Sequence, residues 1–282
     1  MPQYKTRNEL RNLVINAFSK EAEINTIFSF GKEVDNKADQ YSDIDLLLCS
    51  NDLAKTQSNY LKIFNDISPI ISTYLLNSTE NDLSQMVMLK DFSPYQKIDF
   101  SITDNIERKI AAGFGPFIPI YKNDSITAKV NSKLAIIEEN NVKNQLNGFL
   151  FSVPRFTKCL FRKDYDMYRR WKHISDKAMI LLYEKYCGWE EKKKVSAKEL
   201  SELNKILSND ESELLHKIFP PVGVVNIAES YQVCIELIIT LCKQKAEHFK
   251  IELNEAFIRY IEGFLKTEIR RTNLLRYPEI YS

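Results

Sequence analysis

Long apolar runs are missing from this chain. None approaches the roughly 20 residues a helix needs to cross a bilayer; stretches such as Ile235 to Leu241 are far shorter. The opening MPQYKTRNELRNLV has no apolar core of the kind a signal peptide carries, and turns at once into a charged, helix-like pattern. The expectation is a soluble, cytoplasmic protein with no membrane partner. An excess of charge is missing too: 39 Lys and Arg face 38 Asp and Glu, for a net charge of +1. That balance excludes a global footprint for DNA or RNA and leaves room only for a local basic patch, so no extended nucleic-acid surface is expected. Paired cysteines are absent. Cys49, Cys159, Cys187, Cys234 and Cys242 are odd in number, scattered and without zinc spacing, and read as buried free thiols. There is no internal repeat and no low-complexity segment. Glycine is scarce, with seven in 282 residues, so a glycine placed at the end of a strand asks for a reason.

What is present is a hydrophobic content of 44%, enough to bury one large core or two. The two halves read differently. In the first, helical spacing over Asn8 to Ala22 gives way to short strands over Ile24 to Phe30 and Ile44 to Cys49. A helix follows over Lys55 to Ile67, stopped near Pro69, and then a β-branched strand over Ile70 to Leu76. MVMLKDFSPYQKIDFSIT, residues 86 to 103, is two alternating runs around a Ser-Pro-Tyr turn, a hairpin signal. Ala111 to Pro119 holds two glycines and two prolines and cannot be regular, and IPIYKND is a last extended piece. After about Lys129 strands stop. Helical period runs over 136–162, 165–186, 197–207, 211–219, 227–249 and 253–270, with Pro154 expected to interrupt or kink the first. The plan is α+β: an N-terminal mixed sheet with flanking helices over 1–130, then a C-terminal α-helical bundle over 131–282.

The informative stretch is FSFGKEVDNKADQYSDIDLLLCS, residues 28 to 50. Residues two apart share one face of a strand, so Asp43 and Asp45 project together while Ile44, Leu46 and Leu48 face a core. Two carboxylates side by side repel unless a cation lies between them, and magnesium, which takes oxygen ligands, meets that need. Asp99 alternates with Ile98 and Phe100 in the same way. If its strand neighbours Ile44 to Cys49, three carboxylates converge, as nucleotidyl transfer requires. Taken alone, a DxD is also a common feature of polar loops and helix caps.

The order strand, Gly, polar loop, Ser-Asp-Ile-Asp, then Ile-Asp-Phe resembles the polymerase-β-like nucleotidyltransferase superfamily, most of all the aminoglycoside 6-adenylyltransferases and lincosamide nucleotidyltransferases. DQYSDID at 39 to 45 and QKIDFSITD at 96 to 104 carry the likeness, and the helical half with LFRKDYDMYRRW has a similar layout. The resemblance implies transfer of a nucleoside monophosphate, AMP from ATP, onto the hydroxyl of a small molecule such as an aminoglycoside or lincosamide. Asp43 and Asp45 would bind Mg2+; Asp99 would be the third acid, as ligand or as catalytic base. Gly31 would sit where backbone approaches the phosphates. The family's Gly-Ser is here Gly31-Lys32, so the serine that touches phosphate is replaced by a lysine able to bind it by charge. Ser42 is a nucleotide-site candidate that could equally brace the loop before the aspartates.

Between Arg155 and Lys177 eight basic residues face three acids. Arg162, Arg169 and Arg170 are the candidates to meet the triphosphate across a cleft between domains, against the alternative of a solvated helix face. His173 reads as a hydrogen-bonded surface residue. Tyr165, Tyr168 and Trp171 have near-helical spacing and read as core, with stacking on a nucleobase as the lesser alternative. Two other functions stay open at this point: transfer onto a protein or RNA, and a degenerate relative that binds nucleotide or partner without turnover, which the missing serine would explain. The sequence is silent on oligomeric state.

Overall fold

A computed structural model describes residues 6–124, 130–138, 141–219 and 224–274. The chain divides into two compact units, Met1–Glu139 and Asn140–Ser282.

The first unit is a six-stranded mixed sheet with helices. In chain order it runs α1 (Arg7–Phe18), β1 (Ile24–Ser29), β2 (Ile44–Ser50), α2 (Leu53–Ile67), β3 (Ile70–Ser78), β4 (Asp82–Leu89), β5 (Ile98–Thr103), α3 (Ile106–Ala111) and β6 (Ile118–Lys122). Short 3-10 turns lie at Gly31–Glu33 and Pro94–Gln96. The strand order is β3-β4-β5-β2-β1-β6. All neighbours are antiparallel except β2 and β5, which run parallel with Ile44 opposite Ile98, Asp45 opposite Asp99 and Leu46 opposite Phe100.

Helix starts follow their caps. Thr6 and Glu9 form a capping box on α1, and the Asp52 side chain accepts the Lys55 amide at the head of α2. One apolar stripe of each helix then covers one face of the sheet. Leu10, Val14 and Phe18 of α1 and Tyr60 and Phe64 of α2 are buried with Ile44, Leu46, Leu48, Ile98, Phe100 and Ile102 of the central strands. Phe100 stands at the centre, with its ring 5.4 Å from Phe18, 5.0 Å from Phe64 and 5.6 Å from Tyr60. Such ring pairs add about 0.5–1.5 kcal/mol each beyond the area they bury. Because side chains alternate along a strand, fixing Leu46 and Phe100 in this core turns Asp45 and Asp99 to the opposite face.

Residues 130–138 run back over this unit: Leu134 is buried in its core, the Ile137 amide donates to Ser78 Oγ at 2.8 Å, and Gln57 exchanges two hydrogen bonds with the Ala135 backbone.

The second unit is helical: α4 (Asn141–Arg162), α5 (Asp166–Tyr186), α6 (Ala197–Ile206), α7 (Asn209–Ile218), α8 (Val224–Phe249) and α9 (Glu255–Leu274). Its interior holds an ion pair in which Lys245 donates to Glu184 at 2.8 Å with both side chains 2% exposed. Among the described residues no helix is long and apolar enough to cross a membrane.

Several expectations need correction. Pro154 does not interrupt its helix; α4 continues through it. A proline cannot donate to the carbonyl four residues back, but the buried Val153, Phe156 and Leu160 hold the segment in place, and packing outweighs the lost bond. The same helix starts at Asn141 rather than 136, because Ile136 and Ile137 belong to the segment lying on the first unit. α3 is an unexpected helix, started by Asn105, whose side chain accepts the Glu107 amide. The extended piece IPIYKND is β6, Ile118–Lys122; as the edge strand of the sheet it tolerates Pro119, which has no amide to donate. Tyr165 is not core: α5 begins at Asp166, so Tyr165 precedes the helix and is 83% exposed. Trp171 is half-buried and donates to Ser230 Oγ at 2.7 Å. Cys49, Cys159, Cys234 and Cys242 are buried free thiols as expected, and Cys187 is half-buried. Burial, with Asp104 and Asp82 nearby, pushes the Cys49 thiol up to about 12, so it is inert.

Candidate active site

Three side-chain carboxylates meet on the face of the β2–β5 pair opposite the core that α1 and α2 cover. Oxygens of Asp43, Asp45 and Asp99 lie within 4.8 Å of one another, and all three residues are half-buried. The parallel register produces this. It sets Asp45 level with Asp99, and Asp43, two residues earlier on the same face, falls level with residue 97. The expected convergence of Asp43, Asp45 and Asp99 is therefore what the sheet builds. Three hard, anionic oxygen donors this close together could hold a divalent cation.

Gly31 closes one side of the group. β1 ends at Ser29, the Phe30 amide donates to the Asp45 carbonyl at 3.3 Å, and the chain turns at Gly31 with φ of +68°. A Cβ at this position would lie 2.3 Å from Asp45 Oδ2. Glycine is required twice over, for the left-handed backbone and for the carboxylate packed against it. Lys32, next in line, is exposed.

The loop between the turn and the acids is tied down from both ends. Ser42 is 1% exposed; its hydroxyl donates to Asp39 Oδ1 at 2.8 Å and accepts the Asp39 amide at 3.0 Å. This is the bracing position for Ser42. Arg7, from the first turn of α1, donates to the carbonyls of Ser42 at 3.1 Å and Asp43 at 3.0 Å. It also pairs with Glu33 at 3.6 Å, and Glu33 in turn pairs with Arg11 and accepts the Ser29 hydroxyl. One buried guanidinium thus links the strand carrying the acids to the turn carrying Gly31 and Lys32.

Lys97 is the second residue that sequence reasoning missed. Its ammonium is 2% exposed, 2.8 Å from Asp43 Oδ2 and 2.5 Å from Asp99 Oδ1. The signal was present in the spacing: 97 and 99 share a strand face just as 43 and 45 do.

Arg162, Arg169 and Arg170 belong to the helical unit, at the end of α4 and in the first turn of α5. Arg169 and Arg170 both pair with Asp166 at 2.6 Å, and this holds the Asp166 carboxyl below its usual range, Arg169 contributing most. Arg170 lines a recess of about 280 Å³ with Ser152, His173 and Tyr231. Partial burial and then the charge of Lys177 lower the His173 pKa from its ordinary value, although the side chain is exposed at the surface.

Three carboxylates beside a glycine turn, on a mixed sheet followed by a helical unit, suit chemistry on a phosphate group held by a divalent ion. The sequence carries the assignment further: residues 4–267 match the streptomycin adenylyltransferase family, and the chain belongs to that family of adenylyltransferase enzymes. Two solved structures share a distant likeness. An aminoglycoside 6-adenyltransferase from Bacillus subtilis aligns at 15% identity over 94% of this chain and 98% of that one, with a TM-score of 0.35. An H. pylori protein assigned to the nucleotidyltransferases aligns at 13% identity over 84% and 96%, with a TM-score of 0.25. Neither superposition bears on the site. No curated protein matches the chain in sequence.

Proposed function

We propose that this enzyme transfers AMP from ATP, with Mg2+, onto a hydroxyl of a small molecule, an aminoglycoside or lincosamide antibiotic being the acceptor to test first; the family's streptomycin favours the former. The observation that carries the reading is the meeting of Asp43, Asp45 and Asp99 beside Gly31. Asp43, Asp45 and Asp99 would hold the ion, which when bound neutralises the triphosphate and keeps it in line with the acceptor. Gly31 leaves the turn bare of side chain on the carboxylate side. Lys32, exposed beside it, contacts the phosphates in place of the family's serine. Ser42 serves the nucleotide through the loop it braces. Asp99 takes the proton from the acceptor hydroxyl as the new P–O bond forms and pyrophosphate leaves. Arg162, Arg169 and Arg170 bring further positive charge for the nucleotide. An enzyme using ATP and Mg2+ in this way belongs in the cytoplasm.

The test is transfer of label from α-labelled ATP, with magnesium, to a panel of aminoglycosides and lincosamides, beside Asp43→Asn. Labelled drug that disappears in the variant is the expected result. Label appearing on protein or RNA instead would replace the acceptor. Equal transfer by Asp43→Asn would sink the metal assignment.

A further inference from the structure

We propose that Lys97 is a resident counter-ion of the carboxylate cluster: it assembles Asp43 and Asp99 before any divalent ion arrives and keeps the cluster from binding that ion tightly until nucleotide is present. The proposal rests on the metal reading of Asp43, Asp45 and Asp99. A lysine excluded from water is costly unless its charge is met, and this one is met by two carboxylates, Asp43 just before β2 and Asp99 in β5. Its place is fixed through the backbone as well, because the Ile44 amide donates to the Lys97 carbonyl at 3.0 Å and anchors the start of β2 to the start of β5. The ammonium is therefore a built part of the cluster and not a surface side chain that has folded over it.

The charges then set an order of events. Three carboxylates and one ammonium leave the cluster with two net negative charges. A dication approaching the same oxygens is attracted by the acids and repelled by Lys97 at close range. A like charge at about 4 Å weakens binding of a dication by at least about tenfold even at the dielectric of water. A triphosphate adds several negative charges on the open side and outweighs the ammonium. Lys97 is a positioning residue in this account: it acts through Asp43 and Asp99 and makes metal binding depend on nucleotide.

The experiment uses Mn2+ as a paramagnetic probe on the full-length protein, titrated alone and with a non-hydrolysable ATP analogue, for the wild type and for Lys97→Met, Lys97→Gln and Lys97→Arg. Folding is checked by circular dichroism. The wild type is expected to bind Mn2+ weakly alone and much more tightly with the analogue. Lys97→Met and Lys97→Gln should bind Mn2+ alone at least about tenfold more tightly than the wild type, with a smaller gain from nucleotide. Lys97→Arg keeps the charge and should behave as the wild type. The metal-free Met and Gln variants should also melt lower, and Mn2+ should restore most of that loss. If Lys97→Met does not fold, Lys97→Gln and Lys97→Arg carry the comparison. Neutral variants that bind Mn2+ alone no more tightly than the wild type, while the wild type still binds it with nucleotide, would overturn the counter-ion role and leave the metal reading intact. Tightening in Lys97→Arg equal to that in Lys97→Gln would overturn it too, since charge would then not be the cause. A wild type that binds no Mn2+ even with nucleotide would bring down the metal reading and this proposal together.

Discussion

Gly31→Ala separates two physical effects that the structure superimposes at one residue. The first is backbone: at φ of +68° any L side chain sits in the left-handed region, at a cost of roughly 1–2 kcal/mol. The second is steric. The new methyl would lie 2.3 Å from Asp45 Oδ2 and 3.1 Å from its Cγ, so the carboxylate must move by about 1 Å, a displacement that in an active site costs on the order of a hundredfold in rate. Gly113→Ala isolates the first effect within the same unit, because Gly113 has φ of +83° and nothing within 4 Å of its would-be Cβ. Urea denaturation, Mn2+ binding and kcat/KM for label transfer, measured on both variants, give the comparison. Gly113→Ala should lose about 1–2 kcal/mol of stability and keep its Mn2+ affinity and turnover. Gly31→Ala should lose at least as much stability, bind Mn2+ more weakly and turn over about a hundredfold more slowly. Equal stability losses with unchanged turnover in Gly31→Ala would refute the claim that Asp45 is packed against the turn.

Three further outcomes follow from the same geometry. Asp99→Asn should lower turnover by about a hundredfold or more and far more than it weakens nucleotide binding; comparable losses in both would remove the role of base and leave Asp99 as a metal ligand alone. Lys32→Ser, which restores the family residue, should change the KM for ATP with little effect on stability, and an unchanged KM would return Lys32 to solvent. In the helical unit, burial works against ionisation of Glu211, but donors from Tyr186, Lys185 and Ser208 outweigh it and hold the carboxyl at about 2, below its ordinary 4.5. A depressed carboxyl stabilises the fold fully above about 4.5 and loses that contribution as pH falls toward about 2. Melting midpoints across this window should fall less steeply for Glu211→Gln than for the wild type; parallel curves would show that the pairing adds nothing.

Local pattern in the sequence carried the reading a long way where period-two alternation governs. Asp45 and Asp99 each sit between apolar residues and Asp43 lies two residues before Asp45, so the face they occupy is decided within five residues of chain. Whether the two strands are neighbours is a different matter, because β2 and β5 are brought together by an excursion through α2, β3 and β4. Only the resemblance to known nucleotidyltransferases bridged that gap. Arg7 shows the limit more sharply. It stands 35 residues from Ser42 in a helix whose first turn reads as charged and solvated, and nothing local marks it as the clamp on the acid-bearing loop. Pro154 and Tyr165 fail in opposite ways. Tertiary packing overrides the proline, and a one-residue difference in where α5 starts moves the tyrosine off the buried face.

Lys97 also changes what the acid pattern means. Repulsion between two aligned carboxylates argues for a cation between them, and the sheet supplies one covalently, at 2.8 Å and 2.5 Å from two of the three acids. The metal inference therefore cannot rest on repulsion alone. Three carboxylates still outnumber the one ammonium among them. Gly31 supports this reading independently. A turn that served only to end a strand would have no need to press its bare backbone against Asp45 Oδ2, whereas a site that must admit a phosphate beside that carboxylate gains room from every missing side chain. The lysine accounts for how Asp43 and Asp99 are held together, and the glycine for how closely the turn packs against Asp45.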